Sequence, residues 1–268
     1  MPFFKRNETP LYYEVYGQGS SVIFLGGLGA TCEFWILQKE YFSGCFQTVF
    51  LDNRASGRSV SNDNHLSVSD MVSDTVLLME YLKIDKAHFV TSSMGGFIGL
   101  ELGAKFPDKA LSITFINSSY KIDEFTKYRL KLWEDIKKTD TPEIVQIKEQ
   151  LLWILPKAVF SNKPLLHSFI DNMLNFPFKQ SDKNFSLQLN ASINFNGEKF
   201  INRLKMPTMV LSAYDDLTIN FEDAKSFADR LPRSSFHAFN NCGHIINLFS
   251  AEKANSLINK FIKETEPI

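Results

Sequence analysis

The chain lacks almost everything that would commit it to a membrane, a nucleic acid or an oxidising compartment. Cysteine is scarce. Cys32, Cys45 and Cys242 are the only three in 268 residues, they have no metal-ligand spacing, and an odd number cannot all pair. That count excludes a disulfide scaffold and fits a reducing, cytoplasmic setting. An excess of one charge is missing too. Lys plus Arg is 29 and Asp plus Glu is 30, so no net field draws in nucleic acid or an anionic membrane. No run approaches the roughly 18 apolar residues of a membrane span. The opening Met1-Pro2-Phe3-Phe4-Lys5-Arg6 lacks the charged-then-apolar order of a signal peptide. Internal repeats and low-complexity segments are absent. What remains is a globular chain of one-domain length for an α/β protein, with room for an inserted subdomain. Phenylalanine is abundant, at 25, enough for a greasy core or a greasy pocket.

Short apolar runs recur along the chain with helical patterns between them. Leu11 to Tyr16, Val22 to Leu25, Thr48 to Leu51, Ala87 to Val90, Leu111 to Ile116, Thr208 to Ser212 and Ser235 to Phe239 read as strands. Continuous apolar strands of this length suit a parallel sheet covered on both faces. Ser67 to Leu82 reads as a helix, with Ser67 able to cap it and Asp70 three residues on. Phe221 to Leu231 and Ala251 to Ile262 carry the same period. Alternating strand and helix predicts a mostly parallel, doubly wound α/β sheet. Between Ile116 and Pro207 the alternation stops, and helices broken by Pro142, Pro156, Pro164 and Pro177 take over. The expected organisation is a core of residues 1–118 and 196–268 with a helical cap at 119–195.

Val90-Thr91-Ser92-Ser93-Met94-Gly95-Gly96 carries the most chemistry. A strand stops at small residues and a helix-compatible run, Phe97 to Leu102, follows directly. A serine on so sharp a turn is forced outward, and small neighbours are needed because the backbones nearly touch. This is the pattern of a nucleophile elbow, Gly-x-Ser-x-Gly, with Thr91 in the first Gly position. Acyl transfer also needs a base, an acid that orients it, and amide donors for the oxyanion. Asp215 and Asp216 follow the strand at Thr208, where a site residue of an open α/β sheet belongs. His244 follows the last strand in a Gly-His loop, and Gly26-Gly27-Leu28-Gly29 follows the strand at Val22.

On these residues the chain resembles the α/β-hydrolases, in the group of 3-oxoadipate enol-lactonases, biotin-pathway-type esterases and acyl-homoserine-lactone hydrolases. Gly26 to Gly29 is similar to the family's His-Gly-x-Gly. Asp52-Asn53-Arg54-Ala55-Ser56-Gly57-Arg58-Ser59 is similar to its Asp-x-Arg-Gly-x-Gly-x-Ser loop. Asp216 matches the acid of Gly-x-x-Asp, and His244 the histidine of Gly-His. Four residues depart from the pattern: Gly26 replaces His, Thr91 and Ala213 replace Gly, and Asn220 stands where Pro is common. The resemblance implies a cofactor-independent serine hydrolase of an ester or lactone. Ser93 is then the nucleophile, His244 the base and Asp216 the acid, and the backbone amides of Leu28 and Met94 form the oxyanion hole.

Plain alternatives stand beside each assignment. Ser92 rivals Ser93, and Asp215 rivals Asp216. Asp52 is expected to shape its loop with Arg54. His88 and His237 read as structural, His65 as exposed, His167 as a cap residue without substrate contact, and Cys242 as a small buried filler. Trp35, Trp133, Trp153 and Phe160 are the candidates for lining a substrate pocket. The cap's mixed charges predict a neutral substrate with an apolar acyl part. No metal site is expected. The same triad could serve C–C cleavage, thioester hydrolysis or acyl transfer, and the fold alone could serve a non-catalytic receptor. The partner expected is a small-molecule ester or lactone.

Overall fold

The computed structural model describes residues 3–6 and 9–266; Met1 and Pro2 of the N-terminal run lie outside the described residues. Among the described residues eight strands form one sheet: β1 (Phe3–Arg6), β2 (Thr9–Tyr16), β3 (Ser21–Leu25), β4 (Gln47–Leu51), β5 (Ala87–Ser92), β6 (Ala110–Ile116), β7 (Thr208–Ala213) and β8 (Ser234–Phe239). Their spatial order is β1-β2-β4-β3-β5-β6-β7-β8. β1 and β2 pair antiparallel, as do β2 and β4, and every other neighbour is parallel. The seven expected strands are present, each within two residues of its expected start and end. β1 is an addition.

Among the described residues, twelve α-helices surround the sheet. Those of the core are α1 (Ile36–Phe42), α2 (Val68–Tyr81), α3 (Met94–Lys105), α10 (Phe221–Arg230), α11 (Ile246–Phe249) and α12 (Ala251–Thr265). Between β6 and β7 lie α4 (Glu124–Lys137), α5 (Glu143–Ile154), α6 (Lys157–Ser161), α7 (Lys163–Leu174), α8 (Asp182–Ile193) and α9 (Glu198–Ile201). Strand alternation splits the interior into two layers. Ile23 and Leu25 of β3 face the layer under α2, α3 and α10, while Val22 and Phe24 face the layer under α1 and α12. The start of α2 is fixed by a full capping box between Ser67 and Asp70. Pro142 and Pro156 immediately precede α5 and α6, and Pro164 sits in the first turn of α7, where a missing N–H costs nothing.

The two ends of the α4–α9 insertion meet. Lys121 and Asn196 form an antiparallel bridge, and the Gly197 amide donates to the Tyr120 carbonyl at 2.7 Å. The inserted helices also hold an apolar cluster of their own, built on Ile147, Leu151, Leu155, Val159 and Ile170.

Candidate active site

Ser93 alone joins β5 to α3, and the joint is strained. Its backbone sits at φ 53°, ψ −121°, a region that L-residues seldom occupy. The neighbouring glycines are required by contact. A Cβ on Gly95 would come within 2.1 Å of the Leu25 carbonyl oxygen, and one on Gly96 within 2.1 Å of Ser118 Oγ. Ser92 is the last residue of β5 and is buried in the strand. Thr91, in the family's first glycine position, is also fully buried. Its hydroxyl donates to the Thr114 carbonyl at 2.8 Å. Its methyl finds room because the facing helical residue is Gly99, where a Cβ would lie 2.9 Å from Thr91 Cγ2. The missing glycine of the strand is thus matched by a glycine in the helix.

The acid and base loops follow β7 and β8. Asp216 Oδ1 accepts from the amides of Thr218 and Ile219 at 2.7 and 3.1 Å, and Oδ2 lies 2.8 Å from His244 Nδ1. Both side chains are buried. Asp215 turns away and accepts from the Cys242 amide at 3.2 Å. The His244 amide donates to the Ile154 carbonyl at 2.9 Å, which docks the loop on the C-terminal end of α5. Asn117, just past β6 at φ 46°, ties the two loops together. Its Oδ1 accepts from the Ala213 amide at 3.2 Å, and its Nδ2 donates to the Gly243 carbonyl at 3.3 Å.

The Gly26–Gly29 loop is held from both sides. Asn53 Nδ2 donates to the Gly26 carbonyl at 2.8 Å, and the Gly29 amide donates to Gln188 Oε1 of α8 at 2.8 Å. A side chain at position 26 would meet Ala30 Cβ at 2.7 Å, so glycine there is a packing necessity. Among the described residues the Leu28 amide has no protein acceptor. Met94 is the first residue of α3, so its amide has no intrahelical acceptor.

Ser93 and His244 line one cavity of about 230 Å³, walled by Leu28, Met94, Phe97, Leu130, Trp133 and Ile154. A larger groove, about 570 Å³, runs past His65 and Asn190 and lacks that set. Among the described residues no cluster of three His, Cys, Asp or Glu side chains could hold a metal ion.

Several expectations need correction. Trp35 is fully buried against Phe24 and Phe34 beneath the other face of the sheet and is not among the residues lining the Ser93–His244 cavity. Trp153 donates to Glu149 Oε1 at 2.6 Å and stands outside the cavity wall. Phe160 packs into the inserted helices' own cluster. Of the four aromatic candidates, Trp133 is the one at the cavity. Many aromatics of the insertion therefore serve its own packing. Asp52 pairs with Arg58 (2.8 Å), while Arg54 forks onto Asp74 at 2.8 and 2.7 Å. The remaining histidines sit apart from the cavity. His88 Nδ1 is 2.8 Å from Ser112 Oγ, His237 lies on β8, and His65 and His167 are exposed. Cys242 is a buried filler, with Sγ 3.1 Å from the Asn240 carbonyl. Asn220 caps α10 by accepting from the Glu222 amide, a task suited to the position where Pro is common.

Asn117 and Gln188 escaped the sequence reading. Buried amides of this kind carry no motif, and only their placement between loops reveals them.

The sequence profile of the alpha/beta hydrolase fold matches residues 21–251, and the chain belongs to that family. By class it is a hydrolase. A protein of Azorhizobium caulinodans provisionally named carbamate hydrolase RutD is 23% identical over 99% of this chain and 100% of its own length. A protein of the same name from Caulobacter sp. (strain K31) is 27% identical, over 94% and 95%. The solved enol-lactonase of Burkholderia xenovorans LB400 superposes with a TM-score of 0.88 at 19% identity, covering 98% of this chain and 100% of that one.

No helix among the described residues is long and apolar enough to cross a membrane.

Proposed function

We propose that the protein is a serine hydrolase that cleaves a carboxylic ester or lactone through an acyl-enzyme, with α4–α9 as the cap over its cleft. The observation that carries this reading is the strained Ser93, exposed to the same cavity as a histidine whose Nδ1 is held by Asp216. His244 takes the proton of Ser93 through Nε2 as the hydroxyl attacks the carbonyl. Asp216 fixes the tautomer and stabilises the imidazolium. The Leu28 and Met94 amides, free of protein acceptors, receive the oxyanion. His244 then protonates the leaving group, and water activated by His244 clears the acyl group. The apolar walls of the cavity suit an acyl part of modest size. The relatives' printed names, carbamate hydrolase and enol-lactonase, stay within this chemistry, since each bond presents a carbonyl to the same nucleophile.

A fluorophosphonate should label Ser93 and no other residue. Ser93→Ala should remove the label and cut turnover of aryl esters by roughly 10⁴- to 10⁶-fold. A panel of esters, lactones and carbamates read by initial rate then assigns the bond. Labelling at Ser92, or full turnover in Ser93→Ala, would refute the reading.

A further inference from the structure

We propose that the substrate is an open ester of a compact apolar acid and a larger, uncharged alcohol. The acyl part fills the Ser93 cavity, and the alcohol runs out past Gln150, whose side-chain amide binds a polar group on it. The inference rests on the hydrolytic reading above and specifies the leaving half of the substrate.

The Ser93 cavity opens onto a second space. A groove of about 430 Å³ shares Leu28, Gly29, Trp133 and Gln150 with it, so these four residues form a neck. Two helices carry the wall from one space to the other in opposite chain directions. On α4, Thr126, Leu130 and Trp133 line the cavity, and Trp133, Ile136 and Lys137 line the groove. On α5, Glu143, Gln146 and Gln150 line the groove, and Gln150 and Ile154 line the cavity. Steps of three and four residues keep each set on one helix face. Phe176 and Phe178, between α7 and α8, also line the groove.

The two spaces differ in the way an acyl-enzyme requires. Among the described residues, none that lines the cavity is exposed, whereas Glu143, Lys179 and Asp182 of the groove are. After acylation the alcohol must leave and water must enter while the acyl group stays on Ser93. The enclosed cavity suits the part that stays, and the open groove the part that goes. At about 230 Å³ the cavity is also smaller than the roughly 300–1,000 Å³ of ordinary small-molecule sites, so it suits half a substrate better than a whole one.

Charge along the groove cancels. Lys179 pairs with Glu143 at 2.7 Å and Lys137 with Asp182 at 3.2 Å. Glu149 accepts from Trp153 Nε1, its Oε2 is buried, and burial raises its carboxyl toward the neutral acid. A charged alcohol would find no spare counter-ion. An apolar one finds the Phe176 and Phe178 rings, whose centres are 5.8 Å apart. Most polar side chains along the path are engaged. Thr126 Oγ1 donates to Asp123, Ser192 Oγ to the Gln188 carbonyl and Thr218 Oγ1 to the Trp153 carbonyl. Gln146 donates to the Thr141 carbonyl and Gln180 to the Ala55 carbonyl. Among the described residues that line either space, Gln150 is the amide with both ends free, and it is half-buried at the neck. A carboxamide both donates and accepts, so it can bind an amide or hydroxyl placed just beyond the scissile oxygen.

The test follows hydrolysis of three butyrates by pH-stat: those of methanol, 4-phenylbutanol and N-(2-hydroxyethyl)benzamide. The last two alcohols have equal length, and only the benzamide carries an amide. kcat/KM should rise on the order of 10-fold from the methyl to the phenylbutyl ester, and roughly 5- to 10-fold further to the benzamide ester. Gln150→Leu should erase the second gain and Phe176→Ala should shrink the first. Each ratio is taken within one variant, so any loss of folded protein cancels. Lengthening the acid instead, from methyl butyrate to methyl octanoate, should bring no comparable gain. Calorimetry of the intact benzamide ester on Ser93→Ala reads the groove without catalysis, which separates a failed groove from a failed nucleophile. Binding there should weaken roughly 5- to 10-fold on adding Gln150→Leu. No gain with the larger alcohols, a gain that follows acid length instead, or an amide preference that survives Gln150→Leu would overturn the proposal.

Discussion

Two adjacent carboxylates show how much rests on a single residue position. Asp215 and Asp216 share a turn, but one supports the Cys242 amide and the other holds His244 Nδ1. Asp216→Asn should offer the imidazole the wrong partner and cost on the order of 10⁴ in turnover. Asp215→Asn keeps an acceptor for the Cys242 amide and should cost far less. Initial rates on one ester decide between them, and a reversed order would move the acid to Asp215. Asn117 belongs to the same scale. One buried amide spans the Ala213 and Gly243 backbones, so both loops inherit their spacing from the end of β6.

At the scale of elements, β5 and α3 are fitted by a methyl in one and a hydrogen in the other. Gly99→Ala would gain about 1 kcal/mol of helix propensity but drive a Cβ to 2.9 Å from Thr91 Cγ2. The crowding should dominate, with a net loss of about 1–3 kcal/mol. In a Thr91→Gly background most of that loss should vanish. Urea unfolding of the four variants measures the coupling, expected at about 0.5–3 kcal/mol; additive effects would show that the two elements simply slide apart. The central strands were legible because burial on both faces leaves short apolar runs with nothing else to mean. β1 was not, since Phe3-Phe4-Lys5-Arg6 mixes both faces and has meaning only beside β2. The elbow was legible because sterics demand small residues at fixed spacing. Trp35 and Trp133 look alike as residues, and only packing sends one under the sheet and the other to the cavity.

For the whole molecule, two histidines tie stability to pH. Burial depresses His88 below its ordinary 6.5, against the pull of Glu266, whose Oε1 lies 3.3 Å from Nε2. Burial, then Lys253 and Lys260, depresses His237. At these sites the unfolded chain binds more protons than the folded one, so acid favours unfolding. Their contribution is complete above the ordinary imidazole value and fades as pH falls through it toward the folded values. The urea midpoint should drop between about pH 7.5 and about pH 5.5, with a shallower slope in His88→Asn. A midpoint that rises on acidification would contradict this. The pinched neck at Lys121 and Asn196 bears on how the chain reaches this state. β6 and β7 are neighbours in space but lie roughly ninety residues apart in sequence, a long loop to close. If the inserted helices gather first on their own apolar cluster, the neck shortens that loop to four residues on the β6 side and eleven on the β7 side. The central pairing then proceeds across a much shorter connection, so a long insertion need not slow it.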